Sequence, residues 1–279
     1  MIRFSIITIT YNAADCLQRT LDSVERQTWP GLQHVIIDGA STDDTLHMAE
    51  QYKARNDADE ASRHAVVITS EPDQGIYDAM NKGLKQASGD YVLFLNAGDC
   101  FPAADTLEQV VHRCRLEDLP SEELPAVLYG LTDITDAEGN VIGPRRFNAQ
   151  LKRYSVWDSQ PSAQRSQLTW RSFRQGMLVC HQAFFARADL ARVTPYDLRY
   201  RYSADVDWCI RLMREAEADG LQIMAIGTTT ALYRQDGQTT RHHRESLVER
   251  FHVMRRHYGL LTTIAMHLWF AVRPLNIDH

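Results

Sequence analysis

The amino-acid sequence predicts an α/β fold: a Rossmann-like, open, mostly parallel sheet flanked by helices, in a single domain with a C-terminal helical tail. Two observations carry this. Strand-like and helix-like segments alternate as β-α-β-α-β-α-β over the first hundred residues, the pattern of parallel strands joined by crossover helices. The strand segments are also short, near-continuous apolar runs, as expected of strands covered on both faces.

Residues 4–10 are apolar and β-branched and stop at Tyr11-Asn12, which predicts a central strand ending in a loop. Leu17, Leu21 and Val24 then recur at helical spacing over residues 14–27, with Asp15 suited to the helix N-terminus. Residues 34–38 form a second apolar strand, and Gly39-Ala40-Ser41 turns the chain into a helix over 42–55. Residues 56–64 are charged and short-sided and predict an exposed loop. A third strand over 66–70, a helix over 76–86 with Met80 and Leu84 on its apolar face, and a fourth strand over 91–95 complete this half.

Farther on, residues 126–132 predict a strand and Asp136 to Asn140 a hairpin turn before Val141 and Ile142. Residues 144–175 read as a long polar loop, with Arg145, Arg146, Lys152, Arg153, Arg165, Arg171 and Arg174 against one acid, Asp158. A loop of that length in a compact domain is usually functional. Residues 177–180 predict a strand, 206–216 a helix, 222–226 a strand and 244–258 a basic helix.

A net charge of −6 argues against a nucleic-acid partner, which needs a basic face. The five cysteines are scattered, without a Cys-x-x-Cys pair, and so suggest neither a disulfide framework nor a zinc site. A reducing, cytoplasmic setting fits them. Met1 to Ile7 shows no signal-peptide cleavage pattern, and no apolar run is long enough to span a bilayer. Residues 260–272 are apolar, with Arg255, Arg256 and His257 before them and Arg273 after. They either lie in the interface of an anionic membrane or pack on the domain or on a second subunit.

Four polar clusters follow the four strands: Thr10-Tyr11-Asn12, Asp38-Gly39-Ala40-Ser41, Glu71-Pro72-Asp73-Gln74-Gly75 and Asn96-Ala97-Gly98-Asp99. In open α/β sheets ligands bind at that carboxyl edge, so the clusters predict one site. Asp38 can accept hydrogen bonds from a base or ribose, or cap a helix, although Ser41 and Thr42 lie nearer the helix and can cap it instead. Asp207 and Asp205 can each favour a helix N-terminus. The adjacent His242 and His243 do not converge on a metal.

These blocks, in this order and spacing, resemble the inverting GT-A glycosyltransferases of family 2. The resemblance runs from Ser5 to Asn12 through Ile37 to Asp43, Glu71 to Gly83 and Ala87 to Asp99, then to Cys180-His181-Gln182 and Ser203 to Trp208. It covers nearly the whole chain. It implies that Asp38, with Thr8 and Tyr11, contacts the base of a UDP-sugar, and that Asp73, Asp78 and Asn81 belong to the donor-binding block. It implies that Asp99 holds a divalent cation, Mn²⁺ or Mg²⁺, to neutralise the diphosphate. Asn96 stands where the family commonly has a carboxylate, so one strong protein ligand is left. Asp205 matches the position of the general base, with Ala204 in place of the family's Glu, and Asp207 is its competitor. His181 and Gln182 match the acceptor-side floor, a structural histidine being the alternative reading.

The resemblance divides the chain into a nucleotide-sugar-binding half (1–100), an acceptor-binding half (101–258) and a tail (259–279). The function it implies is inverting transfer of a sugar from a nucleotide diphosphate to a hydroxyl of a glycan or lipid-linked glycan, in cell-surface polysaccharide assembly. Peripheral membrane contact and a homo-oligomer are compatible with it, and residues 144–175 are where acceptor choice is expected. A nucleotidyltransferase would instead open with a Gly-rich basic loop after the first strand. A non-catalytic nucleotide-sugar or carbohydrate-binding module would be free to lose Asp99 and Asp205.

Overall fold

The computed structural model describes residues 1–58, 64–151, 168–235 and 243–272. Among them, eight strands form one sheet: β1 (Phe4–Thr10), β2 (Leu32–Asp38), β3 (His64–Ser70), β4 (Tyr91–Phe94), β5 (Val127–Thr135), β6 (Val141–Pro144), β7 (Phe184–Arg187) and β8 (Ile223–Arg234). Their order is β3-β2-β1-β4-β7-β5-β6, with β8 paired to β5. Strands β3, β2, β1 and β4 run parallel, as does the β5–β8 pair, whereas β7 is antiparallel to β4 and β5. The α/β, open and mostly parallel architecture is therefore the one the alternation predicts.

Every residue of β1 is buried, because β2 and β4 flank it and helices cover both faces. Its side chains alternate between two cores. Phe4 and Ile6 join Val24, Leu107 and Phe185 on one face, and Ile7 and Ile9 join Met80, Phe94 and Trp208 on the other. Burial of these apolar side chains stabilises the sheet by roughly 25 cal/mol per Å² removed from water.

The helices are α1 (Leu17–Glu25), α2 (Thr45–Ala58), α3 (Ile76–Gln86), α4 (Thr106–Cys114), the short α5 (Asn148–Leu151), α6 (Ala188–Val193), α7 (Ala204–Ala218), α8 (His243–Tyr258) and α9 (Leu260–Val272). Helix α3 lies so close to the sheet that a Cβ on Gly83 would meet Ile7 Cγ2 at 2.4 Å; only glycine allows that approach.

Several boundaries differ from the sequence reading for identifiable reasons. Helix α2 starts at Thr45 because Thr42 N–H is taken by Asn12 Oδ1, while Asp43 Oδ1 accepts the Thr45 N–H. It runs on to Ala58 through the expected loop: Asn56 is buried and donates its amide to the His64 carbonyl, which opens β3. Residues 177–180 form no strand. Arg145 donates to the Met177 and Leu178 carbonyls at 2.8 and 2.9 Å, withdrawing them from any ladder, and the strand starts only at Phe184. Strand β8 is twelve residues long, far beyond the expected 222–226, because it follows β5 to its end. The loop expected over 144–175 contains α5 and a 3₁₀ turn at Trp170–Gln175. Lys152, Arg153, Asp158 and Arg165 lie outside the described residues, as do His242 and Arg273.

The tail is helical over Leu260–Val272 and packs on α8, with Thr263 buried and the His267 ring 5.2 Å from Phe251. Leu261 and Leu268 remain exposed. Among the described residues no helix is long and apolar enough to cross a membrane.

Candidate active site

The register of the parallel strands builds the rim. Thr10 pairs with Asp38 across β1–β2 and Asp38 with Ser70 across β2–β3, so three strands end level. Leu95 N–H continues the β1–β4 ladder onto Ile7, and Ala97 N–H bonds the Ile9 carbonyl, bringing Asn96 to Asp99 to the same edge.

On the first side of this rim, Tyr11 is 62% exposed, with its ring against Gly39. A Cβ on Gly39 would lie 2.6 Å from Asp73 Oδ2 and 3.3 Å from the Tyr11 ring, so Tyr11, Gly39 and Asp73 converge on one spot. Asp38 is fully buried beneath them. Its carboxylate accepts Ser41 N–H at 3.0 Å, the Ser41 hydroxyl, and the Ser70 hydroxyl at 2.6 Å. Asp38 thus shapes the turn that carries Ala40 at φ 61, and it does not cap α2.

Three further residues of the expected donor set are engaged by partners within the protein. Thr8 is fully buried two residues short of the strand end, donating to the Leu95 carbonyl at 2.8 Å with His34 Nε2 at 2.9 Å. It is an ordinary strand threonine. Asp78 accepts Gln74 N–H at 3.0 Å and faces Lys82 at 3.8 Å, which ties the loop to α3. Asn81 grips the Tyr196 backbone with both ends of its amide, at 2.7 and 3.0 Å.

Asp99 sits at the centre of the edge and is 4% exposed. Its Oδ2 accepts the Gln182 amide at 2.9 Å and its Oδ1 the Arg234 backbone N–H at 3.1 Å. Burial pushes the Asp99 carboxyl up to about 7, against the pull of those two donors and of Arg19 and Arg234. Asn96 Oδ1 is buried without a hydrogen-bond partner. A carboxylate and an unsatisfied amide oxygen, three residues apart, are hard donors suited to Mg²⁺ or Mn²⁺. Among the described residues no three His, Cys, Asp or Glu gather as a metal set, so these two oxygens would need further ligands from a bound substrate or water.

Asp205 stands in the first turn of α7 and is partly exposed. Its Oδ1 accepts the Tyr77 hydroxyl at 3.1 Å and the Val206 N–H at 2.9 Å. The neighbouring Asp207 is fully buried, accepting His257 Nε2 and Arg211 Nε at 2.7 Å each. Burial works to raise the Asp207 carboxyl, but those hydrogen bonds outweigh it and hold it below its ordinary value. Asp207 is a structural anchor, which leaves Asp205 as the reachable carboxylate.

A side-chain relay joins the two carboxylates. Gln182 holds Asp99, and the adjacent His181 places Nε2 2.6 Å from the Tyr196 hydroxyl. Tyr196 stacks on Tyr77 with centroids 5.5 Å apart, and Tyr77 holds Asp205. His181 is buried against Phe94 and Trp208, and burial lowers its ring to about 4, so it is neutral. It is a buried member of an aromatic cluster, while Gln182 serves Asp99. Burial, then Asp99 and more weakly Asp205, push the Tyr233 hydroxyl up.

Sequence reasoning missed Tyr77, Tyr196, Tyr233 and Arg234. Tyr77 lies inside the quoted block Glu71 to Gly83, where helical spacing marks it as core. Arg234 ends β8 beside Gly98, its guanidinium bonded to the exposed Asp15 at 3.1 and 3.2 Å and its buried Nε unpaired. Nothing in the local sequence announces it, because β8 is read too short.

With this geometry in hand, the chain can be set beside known proteins. The family model described as Glycosyl transferase family 2 matches residues 5–119. A PGL/p-HBAD biosynthesis glycosyltransferase of Mycobacterium bovis (strain BCG / Pasteur 1173P2) is 35% identical over 209 residues, 75% of this chain and 68% of the relative. Among solved structures, S. aureus TarS 1-349 in complex with UDP-GlcNAc superposes with a TM-score of 0.65 at 16% identity, covering 96% of this chain and 73% of that one. The mannosyltransferase PcManGT from Pyrobaculum calidifontis, in complex with GDP-Man and Mn²⁺, gives 0.62 at 17% identity, covering 98% and 76%.

Proposed function

The chain belongs to glycosyl transferase family 2 and is a glycosyltransferase, and on that premise we propose that it moves a hexosyl or N-acetylhexosaminyl group from a UDP-sugar to an acceptor hydroxyl with inversion. The observation that carries the reading is the pairing of Asp99 and Asp205 through Gln182, His181, Tyr196 and Tyr77 along one sheet edge.

In this reading Tyr11, Asp73 and the turn built on Asp38 receive the nucleoside. Arg234, whose exposed partner Asp15 is easily exchanged for phosphate, faces the diphosphate with Arg19. Asp99 and Asn96 would hold a divalent cation, which supplies charge neutralisation at the departing diphosphate. Asp205 accepts the proton of the acceptor hydroxyl as its oxygen attacks the anomeric carbon opposite the leaving group. That is a single displacement, so one carboxylate suffices and the anomeric configuration inverts. The acceptor is a glycan or a lipid-linked glycan of cell-surface polysaccharide assembly. The exposed apolar residues of α9 support contact with a membrane that carries the lipid.

Calorimetry with UDP and GDP, each with and without Mn²⁺, tests the donor site on the wild type and on Asp99→Ala. UDP binding that requires Mn²⁺ and is lost in the variant is the expected result. GDP in place of UDP would change the donor base, and no nucleotide binding under any condition would overturn the reading.

A further inference from the structure

We propose that Tyr77 is a positioning residue for Asp205: its hydroxyl engages one carboxylate oxygen so that the other is presented to the acceptor. The inference deepens the transferase reading and rests on Asp205 as the base.

Asp205 Oδ1 already accepts two donors, the Tyr77 hydroxyl at 3.1 Å and the Val206 N–H at 2.9 Å. Among the described residues no donor is seen on Oδ2. A carboxylate on the first turn of a helix can rotate about χ2 and exchange its oxygens. A fixed donor on one of them stops that exchange and aims the free lone pairs. Holding a base within a fraction of an ångström of the proton it removes is a large part of what an active site supplies.

Tyr77 is built to be such a fixed donor. Its ring is 8% exposed and stacks on Tyr196, with centroids 5.5 Å apart and planes at 23°. Tyr196 in turn stacks on Trp208 at 4.7 Å and 18°, and its backbone is gripped by Asn81. Both α3 and α7 therefore contribute to one aromatic stack, and the hydroxyl that emerges from it meets Asp205. The backbone that carries Asp205 is pinned separately. Glu249 of α8 accepts the N–H groups of Arg201, Tyr202 and Ser203 at 2.8, 2.7 and 3.0 Å, where the entry to α7 would otherwise leave them bare.

The test is Tyr77→Phe, alone and in an Asp205→Asn background, with single-turnover transfer rates, nucleotide affinity and melting temperature measured for each. The substitution removes only the hydroxyl and keeps the stacked ring. The expected result is a rate about 10-fold or more lower in the wild-type background, with nucleotide affinity and melting temperature unchanged, and no further loss when Asp205 is already Asn. An unchanged rate in Tyr77→Phe, an equal fractional loss in both backgrounds, or a loss confined to nucleotide affinity would each overturn the proposal. If Asp205→Asn alone transfers at the wild-type rate, the base assignment itself falls.

Discussion

Gln182 donates its side-chain amide to Asp99 Oδ2 at 2.9 Å across 83 residues of sequence. One neutral donor there and one backbone N–H on Oδ1 do not offset the burial of Asp99, whose carboxyl stays up at about 7.

That shift sets a pH dependence. Between about pH 4 and 7 the folded chain keeps a proton on Asp99 that the unfolded chain releases. The stability it contributes is complete below the ordinary carboxyl value of 3.8 and is lost as pH rises through about 7. Asp99→Asn has no such titration. Urea unfolding from pH 4 to pH 8 should show the wild type losing on the order of 2–4 kcal/mol relative to the variant. A gap that stays constant would mean that the carboxylate is ionised throughout.

Asp205 and Asp207, two residues apart, should respond in opposite ways. Asp207→Ala strands Arg211 and His257 beside a buried vacancy and should cost about 3–5 kcal/mol of unfolding free energy. Asp205→Asn keeps an oxygen for Tyr77 and should change stability by less than about 1 kcal/mol while cutting transfer to a small residual single-turnover rate. Thermal melts and rate assays on the two proteins decide it. A stable Asp207→Ala would contradict its role as an anchor.

Gly39→Ala should keep the fold and weaken the nucleotide. The new methyl meets the free end of Asp73 at 2.6 Å and the edge of Tyr11 at 3.3 Å, so both move and the sheet does not. We expect the nucleotide Kd to rise about 10-fold, equivalent to roughly 1.4 kcal/mol, with little change in melting temperature. Unchanged affinity would remove this corner from the donor site.

The edge formed by β1 to β4 was legible because local rules govern it. Apolar runs mark β1 to β4, and parallel pairing places whatever follows each strand on one edge, so Asp38, Asp73 and Asp99 could be assembled without coordinates. The partners of Thr8 were not legible: the Leu95 carbonyl and the His34 ring reach it from neighbouring strands, which the sequence of β1 alone does not show. Asp205 was the expected base and Asp207 its competitor, and what sets Asp207 apart in the structure is that His257 and Arg211 occupy it. Arg211 lies four residues on in α7, within reach by helical spacing, but His257 depends on how α8 packs on α7, which no spacing within either helix encodes. Likewise the length of β8 follows from its pairing with β5, a nonlocal fact, and with it went Arg234.

The last contact on Asp99 comes from Arg234, 135 residues downstream. A nascent chain that has exposed only its first hundred residues therefore has β1 to β4 in hand but leaves β4 with a bare edge and Asp99 without its two donors, until β7 and then β8 emerge. The centre of the site is thus assembled late in synthesis, and pausing translation between residues 100 and 184 would hold the chain with the β4 edge exposed, in an aggregation-prone state.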